Sequence, residues 1–148
     1  MKKAGSQQAF RAIDLDLPMK VAELAMKAGL QRIALVSGVG ADAHASNFYL
    51  KTKGELEEAF AALPLRALHI LHPSLLLGDR AESRPGEAIA SVFARATRGL
   101  LVGGLRKWRP IEVDDVGRAM VAAMLGPDPE PARRSYQHDA ILQLAAAL

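Results

Sequence analysis

The chain of 148 residues contains no cysteine, which excludes a disulfide frame, a thiolate nucleophile and a Cys-based zinc site. Aromatic residues make up only 5% of it, among them two tyrosines and one tryptophan. No apolar run approaches the roughly 18 residues that a membrane span requires. The start, Met1-Lys2-Lys3-Ala4-Gly5-Ser6, has no apolar stretch after its lysines. Charge of one sign is also scarce: 19 basic residues are scattered among 16 acidic ones, for a net charge of +3. Without a block of like charges, a dedicated nucleic-acid surface is not expected. Together these absences read as a cytoplasmic protein with neither membrane nor nucleic acid among its partners.

What is present fits a globular α/β chain. Half of the residues are hydrophobic and 24% are charged, enough to bury a core within one domain spanning 1–148. From Ser6, a candidate N-cap, to Ala28 the residues Phe10, Ile13, Leu17, Val21, Leu24, Ala25 and Ala28 recur at helical steps, predicting an amphipathic helix that Pro18 kinks or divides and Gly29 ends. Ile33 to Val36 and Leu68 to Leu71 are short, continuously apolar runs, as expected of parallel strands covered on both faces. Between them a helix is expected from Phe48 to Leu63, with Tyr49, Thr52, Leu56, Ala59, Phe60 and Leu63 inward and with Lys51–Glu55 and Lys53–Glu57 paired on its surface.

Further on, a helix is expected from about Gly86 to Thr97. An edge segment follows at Trp108 to Ile111, then a helix capped by Asp114 and ending near Leu125-Gly126, a proline-rich loop over 127–131, and a helical tail from His138. Two strands are few for such a sheet, so either further chain or a second copy in a homo-oligomer is expected to cover its edge.

The strongest chemical signal is Tyr49-Leu50-Lys51-Thr52-Lys53. Residues four apart share a helix face, and an ammonium near a phenol lowers its pKa, suiting it to exchange a proton with a carbonyl or alcohol. Ser37 follows a buried strand at its carboxyl end, where ligands bind in open α/β sheets, and its hydroxyl can polarise a substrate carbonyl. The alternative is a strand-ending turn at Ser37-Gly38 with Tyr49 an anchor and Lys53 a solvated charge.

Ser37, Tyr49 and Lys53 in this order resemble the serine and tyrosine-x-x-x-lysine pattern of the short-chain dehydrogenases/reductases. Leu71-His72-Pro73-Ser74 with Leu77-Gly78 resembles the Arg-Pro segment of its extended and atypical members, His72 replacing arginine. Phe10 and Asp14, Lys53-Gly54-Glu55, the run Asp79 to Glu87, and Pro110 to Ala119 are similar to the atypical branch that includes the Tat-interacting-protein-like oxidoreductases and epimerase-like proteins. The resemblance implies the C-terminal part of a Rossmann-like doubly wound parallel sheet, an NAD or NADP cofactor, and hydride transfer with a small-molecule carbonyl or alcohol substrate. It implies Tyr49 as acid/base, Lys53 on the nicotinamide ribose, Ser37 orienting the substrate, and the His72-Pro73-Ser74 backbone beside the nicotinamide. The glycine-rich loop that cradles the pyrophosphate at a helix N-terminus is missing. That favours a truncated, cofactor-deficient oxidoreductase, or else a non-catalytic interaction or regulatory protein acting in an oligomer.

Other candidates read more plainly. His69 and His72 are expected on opposite faces, as packing or hydrogen-bonding side chains and not metal ligands. Asp114 and Asp115 read as an N-cap and a first-turn charge. Arg80, Glu82, Arg84 and Glu87 form a charged loop that either clamps a polar substrate or pairs internally. Trp108, between Lys107 and Arg109, reads as a packed ring with solvated neighbours.

Overall fold

The computed structural model describes residues 6–78 and 101–148. The expected helix from Gly86 to Thr97 and the charged loop of Arg80, Glu82, Arg84 and Glu87 lie outside them. The chain opens with α1 (Gln7–Arg11), whose N-cap Ser6 accepts from the Ala9 amide, as the sequence predicts. The axis then continues through a π-helical turn, Ala12–Asp16, into α2, Leu17–Lys27. Pro18, in the first turn of α2, has no N–H for the preceding turn, and the widened π turn takes up the defect. Gly29, with φ +86°, ends the helix in the left-handed region.

Three parallel strands follow: β1 (Arg32–Val36), β2 (Ala67–Leu71) and, much later, β5 (Arg133–Tyr136), in the order β1-β2-β5. Between β1 and β2 lies α3, Phe48–Ala61, capped by the Asn47 side chain on the Leu50 amide. A second, two-stranded parallel sheet joins β3 (Leu76–Leu77) to β4 (Ile111–Glu112), with a 3₁₀ helix at Gly103–Trp108 before it. The chain continues with α4 (Val113–Leu125) and α5 (His138–Ala146).

Alternation along the strands divides the core in two. Leu35, Leu68 and Ile70 pack with Ala22 of α2 and Leu56 and Phe60 of α3 on one face. Leu71 and Tyr136 pack with Val116 and Ala119 of α4 and Ile141 and Ala145 of α5 on the other. Helices therefore cover both faces of a parallel sheet, the layering of a partial Rossmann-like fold.

Several expectations are corrected. Trp108 belongs to the 3₁₀ helix, and the extended segment is confined to Ile111–Glu112. Glu112 occupies the N-cap position of α4 but its side chain does not cap the first turn, and Asp114 and Asp115 both sit in that turn. The strand Arg133–Tyr136 was not legible: three of its four residues are exposed, so it has no apolar run. Its backbone pairing with β2, from Leu68↔Arg133 to Leu71↔Tyr136, makes it a strand. The helix of residues 7–27 carries two apolar stripes where one was expected. Leu15, Met19 and Ala22 face the core, while Ile13, Leu17, Val21 and Leu24 are exposed.

Candidate active site

β1 ends at Val36, and Ser37 continues its ladder, its amide donating to the Leu71 carbonyl at 2.9 Å. Val39 donates to the Pro73 carbonyl at 3.0 Å. The turns after β1 and β2 are thus tied together, and Ser37 and the His72-Pro73-Ser74 segment meet at the carboxyl end of the sheet. Ser37 is only 6% exposed. In register with Leu35 it faces α3, as does His72, two residues beyond Ile70.

Glu57 of α3 meets both. Ser37 Oγ donates to Glu57 Oε1 at 2.5 Å, and His72 Nε2 donates to the same oxygen at 2.8 Å. Arg133 reaches Glu57 Oε2 at 3.5 Å. Burial by itself pushes the Glu57 carboxyl upward, but the hydrogen bonds from His72 and Ser37 and the charges of His72 and Arg133 outweigh it, holding the group below the ordinary carboxylate range. An ionised carboxylate only accepts. The single proton of Ser37 is therefore committed, and Ser37 faces a ligand as an acceptor in this arrangement.

Tyr49 stands in the first turn of α3 and is 40% exposed, which corrects its expected inward position. Its ring lies 5.9 Å from that of Phe10, and Phe10 makes an edge contact with Phe48 at 5.7 Å. A Cβ added to Gly38 would fall 3.4 Å from the Tyr49 phenol oxygen, so the phenol overhangs the residue next to Ser37. Lys53 does not pair with Glu57: its Nζ lies 2.7 Å from Asp14 Oδ1. Glu55 likewise pairs with Arg11 in place of Lys51. Phe10 and Asp14, four apart on one helical segment, thus meet Tyr49 and Lys53, four apart on another.

The remaining expected residues are engaged inside the chain. Ser74 Oγ donates to the Arg109 carbonyl, and His72 is held by Glu57. His69, on the opposite sheet face, bonds the Tyr136 hydroxyl through Nδ1 at 2.9 Å; burial first, and then the charge of Arg32, lower its pKa. Trp108, expected to be packed, is largely exposed, yet its ring tip lies near Gly40: a Cβ there would be 3.5 Å away.

Sequence reasoning missed Glu57. Its signal was a carboxylate one turn beyond Lys53, next to the buried column of Leu56 and Phe60, but the i,i+4 rule assigned it to the surface.

The described residues therefore define an α/β protein with a parallel sheet and a polar cluster at the carboxyl ends of two strands. No family model matches the chain. It is 39% identical over 120 residues, 80% of its length, to "Protein FMP52, mitochondrial" of Candida albicans. It is 39% identical over 122 residues to the Emericella nidulans protein of the same name, and 37% identical over 126 residues, 85% of its length, to "Protein HTATIP2" of Rattus norvegicus. The chain is homologous to both kinds of protein, and it spans about half the length of the curated relatives it matches, 50–52% in these three. The expectation of a cytoplasmic protein is corrected by these names. It rested on missing features that do not separate compartments, whereas the fungal relatives are named as mitochondrial.

Proposed function

We propose that this chain carries the proton-handling half of an NAD(P)-dependent oxidoreductase of the short-chain dehydrogenase/reductase type, acting on a small carbonyl or alcohol. One observation carries the reading: the Tyr49 phenol overhangs Gly38, beside Ser37, at the carboxyl end of a buried parallel strand. The homology to FMP52 and HTATIP2 supports the same assignment. In this reading Tyr49 passes a proton to or from the substrate oxygen, and Ser37, its own proton held by Glu57, orients a substrate hydroxyl as acceptor. Lys53 stands one turn below Tyr49 to hold the nicotinamide ribose, and the His72-Pro73-Ser74 turn walls the site. NAD or NADP supplies or accepts the hydride when bound.

The fit to a whole dinucleotide is incomplete. The sequence has no glycine-rich turn leading into a helix for the pyrophosphate, and Lys53 is bound to Asp14. The internal engagement of Ser37, Lys53 and His72 favours a second reading, a non-catalytic interaction or regulatory protein that keeps the fold.

A chimera joining this chain to the unmatched half of an FMP52 relative separates the two. Oxidoreductase function predicts oxidation of NADH or NADPH with small aldehydes and ketones, abolished by Tyr49→Phe with cofactor affinity changed less than about twofold. Turnover retained by Tyr49→Phe removes Tyr49 from the mechanism, and a chimera without turnover favours the second reading. Calorimetry of the chain alone should show no micromolar binding of NAD(P)H.

A further inference from the structure

Trp108, the chain's single tryptophan, is 45% exposed, yet its position is fixed. It closes the 3₁₀ helix Gly103–Trp108, and the residue after it is held twice: the Arg109 carbonyl accepts from Ser74 Oγ, and Arg109 Nε donates to the Leu101 carbonyl at 2.7 Å. Two residues further, the Ile111 amide donates to the Leu75 carbonyl at 3.0 Å. The indole is therefore tied to the turn that follows β2, at the same end of the sheet as Ser37 and His72. A large ring held in place and left nearly half in water is more informative than a scattered exposed side chain.

The ring shares one short turn with the phenol of Tyr49. After β1, Gly38-Val39-Gly40 passes beneath both: a Cβ on Gly38 would meet the phenol oxygen at 3.4 Å, and a Cβ on Gly40 would meet the indole tip at 3.5 Å and Leu50 at 3.8 Å. Residues 38 and 40 are at most about 7 Å apart, so a ligand whose carbonyl meets the phenol reaches the indole with an aryl group on a short chain. The polar side chains around the turn are already engaged. Ser37 and His72 donate to Glu57, Lys53 to Asp14 and Ser74 to the Arg109 carbonyl, while Lys107 Nζ lies over the indole, 6.0 Å from its centre. A polyhydroxylated ligand gives up water here and finds few partners in exchange, whereas an apolar one gains by covering Trp108 and Leu50.

We infer that Trp108, with Leu50 beside it, is a specificity-determining residue of the candidate site: it selects carbonyl or alcohol substrates that carry an aromatic or comparably apolar substituent, against sugar-like, polyhydroxylated ones. The inference rests on the oxidoreductase reading for the reacting end of the substrate and on the Trp108 geometry alone for the other end. Without side chains at Gly38 and Gly40, the surface between phenol and indole is open to the chain that connects the two ends. Contact of an aryl group with the indole adds to the gain from burial.

A phenyl ketone, 4-phenyl-2-butanone, and a polyhydroxylated one, erythrulose, test it. In the chain alone, the NMR signals of the Gly38 and Gly40 amides and of the Trp108 indole N–H are expected to shift with the phenyl ketone at millimolar concentration and to stay still with erythrulose. Trp108→Ala is expected to weaken the phenyl ketone about tenfold and Trp108→Phe by less than about threefold, read at the glycine amides. In the chimera described above, Trp108→Ala is expected to lower kcat/KM for the phenyl ketone about tenfold, mostly through KM, and to leave that for erythrulose within about twofold. Equal response of the wild-type chain to both probes, response to neither, or phenyl-ketone binding indifferent to Trp108→Ala overturns the inference; the wild-type comparison and Trp108→Phe decide it even where Trp108→Ala fails to fold. A chimera without turnover beside Trp108-dependent binding of the phenyl ketone removes the oxidoreductase reading and leaves the apolar subsite. Turnover indifferent to Trp108 does the reverse.

Discussion

The hydroxyl of Ser37 is bonded to the carboxylate of Glu57, 2.5 Å away and twenty residues later in the chain. The carboxylate also holds His72 and Arg133, so one buried acid organises the ends of β1 and β2, the start of β5, and α3. Glu57→Ala leaves three donors without their acceptor and is expected to cost about 3 kcal/mol. Glu57→Gln keeps an acceptor for Ser37 and is expected to cost about half as much. Urea unfolding of the three proteins checks the order; equal stability of wild type and Glu57→Ala would place the carboxylate in solvent.

The acid limb of stability follows from the same group. Because the folded Glu57 carboxyl titrates below its unfolded value, the unfolded chain binds more protons, and stability is lost as pH falls below about 4.3. His69 adds a second window. Its folded pKa is also lowered, so its contribution is complete above about pH 6.5 and is lost as the pH falls from there. Melting temperatures from pH 8 to 3 are expected to decline in both windows, Glu57→Gln flattening the lower one and His69→Gln the upper.

Two glycines in helices are expected to answer substitution in opposite senses. At Gly54 of α3 a Cβ would lie 2.1 Å from the Ala43 amide nitrogen and 2.2 Å from the Asp42 carbonyl carbon, both backbone atoms. The loop after β1 crosses α3 at that point, so Gly54→Ala is expected to destabilise by about 2 kcal/mol or more. At Gly117 of α4 a Cβ meets nothing within 4 Å, and Gly117→Ala is expected to stabilise by about 0.5 to 1 kcal/mol. Thermal unfolding of the pair checks both signs.

The partner of Lys53 can be measured directly. A double-mutant cycle on Asp14→Asn and Lys53→Met is expected to give a coupling of about 1 kcal/mol, since the pair is partly buried. The corresponding cycle on Tyr49→Phe and Lys53→Met is expected to give a coupling near zero in the unliganded chain. The reverse result would restore Lys53 to the phenol.

Phe10 is buried against the rings of Phe48 and Tyr49. Phe10→Ala is expected to cost about 3 kcal/mol and to free the Tyr49 ring, visible as sharper, more solvent-like ring signals by NMR. An unchanged Tyr49 spectrum would show that α1 does not position the phenol.

The sequence by itself determined the elements whose signals are local. The Ser6 cap, the stop at Gly29, the apolar runs of β1 and β2, and α3 were legible because caps, glycine conformations and hydrophobic periodicity act over a few residues. The placement of Ser37 at a strand's carboxyl end and of Tyr49 and Lys53 one helical turn apart was legible for the same reason. Tertiary structure alone decided the rest. Arg133–Tyr136 became a strand through the backbone ladder of β2, with no apolar run of its own to mark it. Lys53 and Glu57 satisfy the spacing of a surface pair, but nearer partners, Asp14 for one and Ser37, His72 and Arg133 for the other, take both charges because folding brings them within hydrogen-bond range and out of water. Which apolar stripe of α2 faces inward was likewise undetermined by a periodicity that both stripes satisfy; packing against Leu35, Leu56 and Phe60 chose Met19 and Ala22 and left Leu17, Val21 and Leu24 outside.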